Sequence, residues 1–326
     1  MSSTPVVVVL HGADRPSPQA LAPVAERAEI RYTEAAGLAD ALEGADVVFA
    51  YDFLSTAIAE AWHAAGSVQW VHVAAAGVDA LLSPQVRESE VVVTNSRGVF
   101  DSAIAEYVLG QVLSFAKDLP GSLRLQDERR WQHRESERVA GTRALVVGTG
   151  PIGRAIARLL RAAGLEVSGS GRRERTDDAD FGTVTDTAGL PEALGRADWV
   201  VAIAPLTDST KGMFAADAFA AMPAHARFIN VGRGELVVTD DLVSALRDGA
   251  IAGAALDVVD VEPLPQDHPL WTLPGVMITP HNSGDFIGWR DALVTLFAEN
   301  FVRWADGRPL DNVVDKSLGY VPTTGS

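Results

Sequence analysis

The stretch ALVVGTGPIGRAIARLL, residues 144–160, reads as a strand, a glycine-rich turn and a helix in immediate succession. Ala144 to Val147 form a short apolar run of the kind buried in a parallel sheet. Gly148, Gly150 and Gly153 follow in G-x-G-x-x-G spacing, and Ile152, Ile156, Leu159 and Leu160 then recur at helical intervals. One glycine permits the tight turn, one lets backbone approach a pyrophosphate, and one lets the helix pack close on the strand. The helix N-terminus adds amide donors and the positive end of a dipole. Such spacing also arises in purely structural turns, but a strand before it and a helix after it favour a dinucleotide site.

Outward from this unit the same rhythm repeats. Val6 to Leu10, Val47 to Ala50, Trp70 to Val73 and Val91 to Thr94 read as strands of one α/β unit. Ala144 to Val147, Glu166 to Ser168, Trp199 to Ile203, Arg227 to Asn230, Ala252 to Leu256 and Val276 to Thr279 read as strands of a second. Alternation with helical stretches predicts parallel sheets covered by helices. Between the two series, Ser102 to Leu119 carries Ile104, Tyr107, Val108, Val112 and Phe115 at helical spacing and predicts one bridging helix. The charged stretch Gln126 to Glu137 reads as exposed connection. A last helix is predicted over Phe286 to Trp304, stopped by Asp306-Gly307-Arg308-Pro309.

The bulk composition narrows the functional classes. At 326 residues and 47% hydrophobic side chains, the chain is long enough for two packed domains. A formal charge of -16 repels a phosphate backbone, so nucleic acid is not expected as a partner. No apolar run approaches the roughly 20 residues that span a bilayer, and Val6 to Leu10 lacks the basic flank of a secretory signal, so a cytoplasmic protein is expected. With no cysteine there is neither a disulfide nor a thiolate ligand, and no metal site is expected.

About twenty residues after the glycine loop, an NAD-selective fold places an acid against the ribose 2'-hydroxyl. Here the chain reads EVSGSGRRER, with Gly171 at that place and Arg172 and Arg173 behind it. Two guanidinium groups without a carboxylate suit a 2'-phosphate, so NADP is expected over NAD, which stays possible. The alternative is a pair of solvated loop arginines.

Three later segments each end an apolar run in polar residues: RFINVGRGELV with Arg233, GAALDVVDVEPL with Asp257 and Glu262, and VMITPHNSG with His281. Ligands of open α/β sheets sit outside the carboxyl ends of the strands, so these ends would bring a guanidinium, a carboxyl and an imidazole together. Arginine can grip a carboxylate in bidentate fashion, and histidine can exchange a proton with a carbonyl or hydroxyl oxygen. Each residue alone could be a surface charge or a turn cap; three at successive strand ends behind a glycine loop favour catalysis.

On these motifs, together with AAAGVD (74–79), VVVTNSRGV (91–99), AEYVLG (105–110) and APLTDST (204–210), the chain resembles the NAD(P)-dependent D-2-hydroxyacid dehydrogenases. The resemblance is nearest to glyoxylate/hydroxypyruvate reductases and implies two Rossmann-like domains. A cofactor domain over 101–286 would be inserted into a substrate domain formed by 1–100 and 287–326. It makes Arg233 the carboxylate anchor, Glu262 the partner of the histidine and His281 the acid that protonates a keto oxygen. Backbone at Ala75, Ala76 and Gly77 would hold the substrate carboxylate, and Pro151 and Ile152 would meet the pyrophosphate. Pro205 and Thr210 would line the adenosine side and Asp257 would bind the nicotinamide amide, with Val231, Gly232 and Ser283 among the cofactor contacts. A small 2-keto or 2-hydroxy acid is the implied substrate, and a homodimer the implied assembly. Glu262 in place of glutamine speaks against formate oxidation, and the chain length leaves no room for an added regulatory domain. Oxidation of another small anion such as phosphite, or dinucleotide sensing as in corepressors of this fold, are the competing readings.

Overall fold

The structure is a computed structural model that describes residues 4–53 and 55–322. The chain divides into two compact units, Met1–Val99 with Phe286–Ser326 and Phe100–Asp285. Each crossing falls one residue before the boundary expected from the sequence.

The first unit is built on a parallel sheet of β1 (Val6–Leu10), β2 (Glu29–Thr33), β3 (Val47–Ala50), β4 (Trp70–Val73) and β5 (Val92–Asn95), in the order β2-β1-β3-β4-β5. β1, β3 and β4 are buried throughout, as continuous apolar strands covered on both faces must be. The unpredicted β2, EIRYT, is an edge strand with one exposed and four half-buried residues, so it needs no apolar run. The helix Trp289–Ala305 packs Phe297 flat on Phe49, with ring centroids 4.1 Å apart, and stacks it on Trp70 at 5.4 Å. It begins three residues later than predicted, after Gly288 in a left-handed conformation.

His72 lies fully buried in this aromatic cluster. Ser96 gives its proton to the Val73 carbonyl (3.0 Å), so its Oγ can only accept from His72 Nε2 at 3.2 Å. Nδ1 is then the acceptor from the Thr94 hydroxyl at 2.7 Å, and Thr94 in turn accepts from Trp70 Nε1 at 2.8 Å. Burial lowers the imidazole pKa to about 3, and a second ring proton would meet the Thr94 hydrogen head-on. In the unfolded chain His72 takes up a proton near pH 6.5, whereas in the fold it stays neutral. Stability should therefore fall as pH drops from about 6.5 towards 3, by up to about 1.4 kcal/mol per pH unit. Calorimetric melting of the parent and His72→Asn between pH 7 and pH 5 checks this: the acid-side slope should flatten in the variant.

The second unit holds β6 (Arg143–Val147), β7 (Glu166–Ser170), β8 (Arg175–Asp178), β9 (Gly182–Thr185), β10 (Trp199–Ala202), β11 (Arg227–Asn230), β12 (Gly253–Leu256) and β13 (Val276–Ile278). Their order is β13-β12-β11-β10-β6-β7-β9-β8, parallel except for the β8–β9 pair. From β6 the chain moves outward through β7 to β9 and then returns to β10 on the other side of β6. The topological switch point, where such sheets bind ligands, is therefore the pair β6 and β10.

The single bridging helix predicted over 102–119 is two helices, Asp101–Ala116 and Leu119–Asp127. Asp118 separates them in a left-handed conformation (φ 46°), and its carboxylate accepts from the Gly121 amide at 3.0 Å as an N-cap. Pro120, in the first turn of the second helix, has no N–H with which to continue the ladder of the first helix onto the Ala116 carbonyl. The second helix reaches into the stretch expected to be irregular, which begins only after Asp127.

Candidate active site

The glycine loop joins β6 to the helix Pro151–Ala162, with Gly150 as N-cap and Pro151 in its first turn. A Cβ on Gly153 would lie 1.9 Å from the Gly148 carbonyl, so no side chain is possible where the helix crosses the turn. Across the switch point, Thr210 accepts from the Thr207 amide at 2.8 Å and donates to the Pro205 carbonyl at 2.7 Å, which closes the loop after β10. Amides at a helix N-terminus with no side-chain cap, above a turn that a Cβ would fill, fit a dinucleotide pyrophosphate.

β7 ends at Ser170, and Arg172 and Arg173 follow Gly171 on the exposed turn. A Cβ on Gly171 would stand 2.8 Å from Thr149 Oγ1, in the middle of the glycine loop. The same oxygen accepts from Arg175 Nη2 at 3.1 Å, so a third guanidinium, unassigned by the sequence, borders the place of the missing acid. Arg175 Nε binds Asp178 at 3.1 Å, and Asp178 is held in turn by Arg154 through two bonds of 2.9 and 3.0 Å. That arginine, with its bonds from backbone amides, keeps the Asp178 carboxyl far below the usual carboxylate range. Arg158 reaches Asp180, and Arg161 reaches the Ala179 and Asp180 carbonyls, so one face of the helix pins the β8–β9 turn.

Arg233, Asp257 and His281 stand just beyond the carboxyl ends of β11, β12 and β13, whose last residues Asn230, Leu256 and Ile278 are in register. The buried Asn230 braces the first turn: its amide donates to the Arg233 carbonyl (2.9 Å) and its oxygen accepts from the Gly232 amide (3.1 Å). Arg233 Nη1 also donates to the Gly232 carbonyl at 2.8 Å, which fixes the guanidinium on its own turn. A Cβ on Gly234 would fall 1.9 Å from the Val259 carbonyl carbon, and this close approach draws the Glu262 loop against the Arg233 turn.

Glu262 Oε1 accepts from the Val259 amide at 3.1 Å, and Oε2 faces His281 Nδ1 at 2.8 Å. A carboxylate only accepts, so Nδ1 carries the proton and Nε2 is the nitrogen left for chemistry. The bond from Glu262 raises the His281 pKa; burial opposes it, the Glu262 charge assists, Arg233 lowers it and Asp257 raises it. Burial pushes Glu262 up, but the bond from His281, the Val259 amide and the charge of Arg233 together bring it below its ordinary value. Both side chains are about a third exposed, at 33% and 35%.

Asp257 is buried, and its oxygens accept from the Thr279 hydroxyl (2.6 Å) and from the amides of Asn282 (3.0 Å) and Ser283 (2.9 Å). The sequence singled out Asp257 and Ser283 but neither Thr279 nor Asn230. In the first unit, Ala75, Ala76 and Gly77 follow β4, where the Ala76 carbonyl accepts from Asn95 Nδ2 at 2.5 Å.

A glycine loop at the switch point and a glutamate-paired histidine three strands along the same sheet edge are the arrangement expected of a nicotinamide-dependent oxidoreductase. Residues 109–283 match the family model described as D-isomer specific 2-hydroxyacid dehydrogenase, NAD binding domain. The human glyoxylate reductase/hydroxypyruvate reductase is 31% identical over 76% of this chain and 77% of its own length. A D-isomer specific 2-hydroxyacid dehydrogenase from Xanthobacter autotrophicus, solved in complex with NADPH and MES, superposes with a TM-score of 0.81 at 30% identity, covering 96% of this chain and 99% of that one. An NADPH-dependent glyoxylate/hydroxypyruvate reductase from Sinorhizobium meliloti, solved with NADP and sulfate, gives a TM-score of 0.81 at 28% identity, covering 98% and 100%. The chain belongs to the D-isomer specific 2-hydroxyacid dehydrogenases. Its reaction is hydride transfer between NAD(P)H and a small 2-keto or 2-hydroxy acid, in a fold of two Rossmann-like units with parallel sheets.

Proposed function

We propose that this chain is an NADPH-preferring reductase of short 2-keto acids of the glyoxylate and hydroxypyruvate kind. The observation that carries the reading is the 2.8 Å pairing of His281 Nδ1 with Glu262, at the same sheet edge as the fixed guanidinium of Arg233. A bound nicotinamide dinucleotide supplies the hydride. Arg233 holds the substrate carboxylate, and the backbone at Ala75, Ala76 and Gly77 is assigned to the same carboxylate on resemblance. Protonated His281 gives its Nε2 proton to the keto oxygen and is left neutral, with Nδ1–H still on Glu262. Glu262 thus keeps the ring in one orientation through both protonation states.

Gly148, Gly150, Pro151, Ile152 and Gly153 receive the pyrophosphate, Pro205 and Thr210 border the adenosine, and Val231, Gly232, Asp257 and Ser283 the nicotinamide. Arg172 and Arg173 follow Gly171 in the chain and Arg175 borders it at Thr149, so a 2'-phosphate meets cations at the position where an NAD-selective site carries an acid. The relatives solved with NADP or NADPH agree with that preference. The cytoplasm is the compartment that fits; among the described residues no helix is long and apolar enough to cross a membrane. The homodimer stays part of this reading, with the exposed Leu119, Leu123 and Trp131 of the second unit as the apolar surface a second copy would cover. No feature of the site favours phosphite oxidation or dinucleotide sensing over turnover.

A panel of 2-keto acids assayed with NADPH and with NADH tests the reading in the parent and in Arg172→Ala/Arg173→Ala. The double variant should weaken NADPH by about tenfold to a hundredfold, the scale of one or two charged hydrogen bonds, and leave NADH nearly unchanged. Equal losses with both cofactors would remove the 2'-phosphate role, and no turnover with any 2-keto acid would remove the function.

A further inference from the structure

We propose that Tyr107 and Thr279 are positioning residues that act through Asp257 to hold the His281 loop in its working conformation. The inference rests on the reading of His281 as the catalytic acid.

His281 has a left-handed backbone (φ 52°), which costs a residue with a Cβ on the order of 1 kcal/mol or more and persists only where surrounding bonds impose it. Besides the ring's bond to Glu262 and a 3.1 Å bond from the His281 amide to the Thr279 carbonyl, those bonds lead to Asp257. The His281 amide donates to the Asp257 main-chain carbonyl at 2.8 Å. The next two amides, Asn282 and Ser283, donate to the two oxygens of the Asp257 carboxylate at 3.0 and 2.9 Å. The remaining contact to that carboxylate is the Thr279 hydroxyl at 2.6 Å, from the residue where β13 has just ended. A carboxylate offers roughly four acceptor sites, so three of them are spent on the loop. The side chain assigned by resemblance to a cofactor amide is mainly the keystone of the turn that carries the histidine.

The direction of the chain is fixed by proton counting. Thr279 has one hydroxyl proton, and an ionised Asp257 can only accept it. The 2.7 Å contact between Tyr107 Oη and Thr279 Oγ1 must then be a bond donated by the phenol. Burial pushes the Tyr107 phenol up to about 12, so it remains a donor at every working pH. Tyr107 sits on the helix Asp101–Ala116, and the series Tyr107, Thr279, Asp257 ties this helix to the His281 turn.

Without the Thr279 proton, Asp257 keeps only amide donors on an exposed-side turn and can rotate. His281 then relaxes from its left-handed backbone and the ring leaves Glu262. The charged groups acting on His281 are Glu262, Arg233 and Asp257, and the bond from Glu262 is the largest influence raising its pKa. Loosening the turn should therefore move the imidazole pKa down.

The test follows the His281 ring by NMR titration in the full chain labelled with 15N-histidine, beside steady-state reduction of 2-keto acids. Thr279→Val should lower the His281 pKa and cut kcat by about tenfold to a hundredfold with KM little changed, the cost of misplacing a catalytic group by about 1 Å. Thr279→Ser, which restores the hydroxyl, should recover both, and Tyr107→Phe should shift both in the same direction by less. A Thr279→Val protein that melts earlier but keeps the parental His281 titration and kcat refutes the relay, as does a Tyr107→Phe protein identical to the parent if Thr279→Val fails to fold. Absence of 2-keto acid turnover in the parent would instead refute the proposed function, and the titration would still decide the relay.

Discussion

His281→Ala should reduce kcat/KM for 2-keto acid reduction by about a hundredfold or more, the usual worth of a placed general acid, while NADPH binding stays close to parental. The imidazole bonds Glu262 and takes no part in the bonds of the glycine loop, so a fluorescence titration of NADPH separates the two effects. The parent also carries a pH signature. Because the bond from Glu262 raises the His281 pKa above its ordinary value, the protonated acid persists to higher pH than in a free imidazole and is lost as pH rises through the raised value. Reduction should fall along that limb and oxidation of the 2-hydroxy acid should rise along it. In His281→Ala the limb should vanish; its persistence would assign the proton to another group.

Arg233→Ala should lower kcat/KM by a factor of roughly thirty to several thousand, mostly through KM, since losing one partner of a desolvated charge pair costs about 2–5 kcal/mol. Arg233→Lys should recover little, because an ammonium cannot reproduce a planar fork held through Nη1 on the Gly232 carbonyl. The same substitution has a second readout. Arg233 lowers the His281 pKa, so its removal should carry the pH limb of reduction upward. A full-strength Lys variant, or a limb that stays in place, would detach Arg233 from both carboxylate and imidazole.

How much of this could be read in the sequence depended on whether a residue's role is local. Arg233, Glu262 and His281 were legible because each follows an apolar run that ends at one edge of a parallel sheet, and the glycine loop because turn, phosphate approach and helix packing each demand a glycine at fixed spacing. Thr279 and Asn230 were quoted inside motifs without a role, since a hydroxyl or amide at a strand end gives no sign of which turn it will brace. Tyr107 looked like any aromatic on the apolar face of a helix, and only its 2.7 Å approach to Thr279, distant in sequence, separates it from the core. The strands Arg175–Asp178 and Gly182–Thr185 escaped because RTDD and GTVT show no apolar alternation; their order comes from Arg154, Arg158 and Arg161 on a neighbouring helix. The helix break at Asp118 was hidden for the opposite reason, as apolar spacing runs on past it.

That row of arginines has a practical corollary for anyone wishing to convert the enzyme from one dinucleotide to the other. The segment proposed to meet the ribose is not a free-standing loop that can be transplanted between relatives: Arg175 is aimed by Asp178, and Asp178 by Arg154, one turn into the helix that follows the glycine loop. A graft that brings in residues 171–180 without matching positions 154, 158 and 161 would import the right side chains on a misdirected mount.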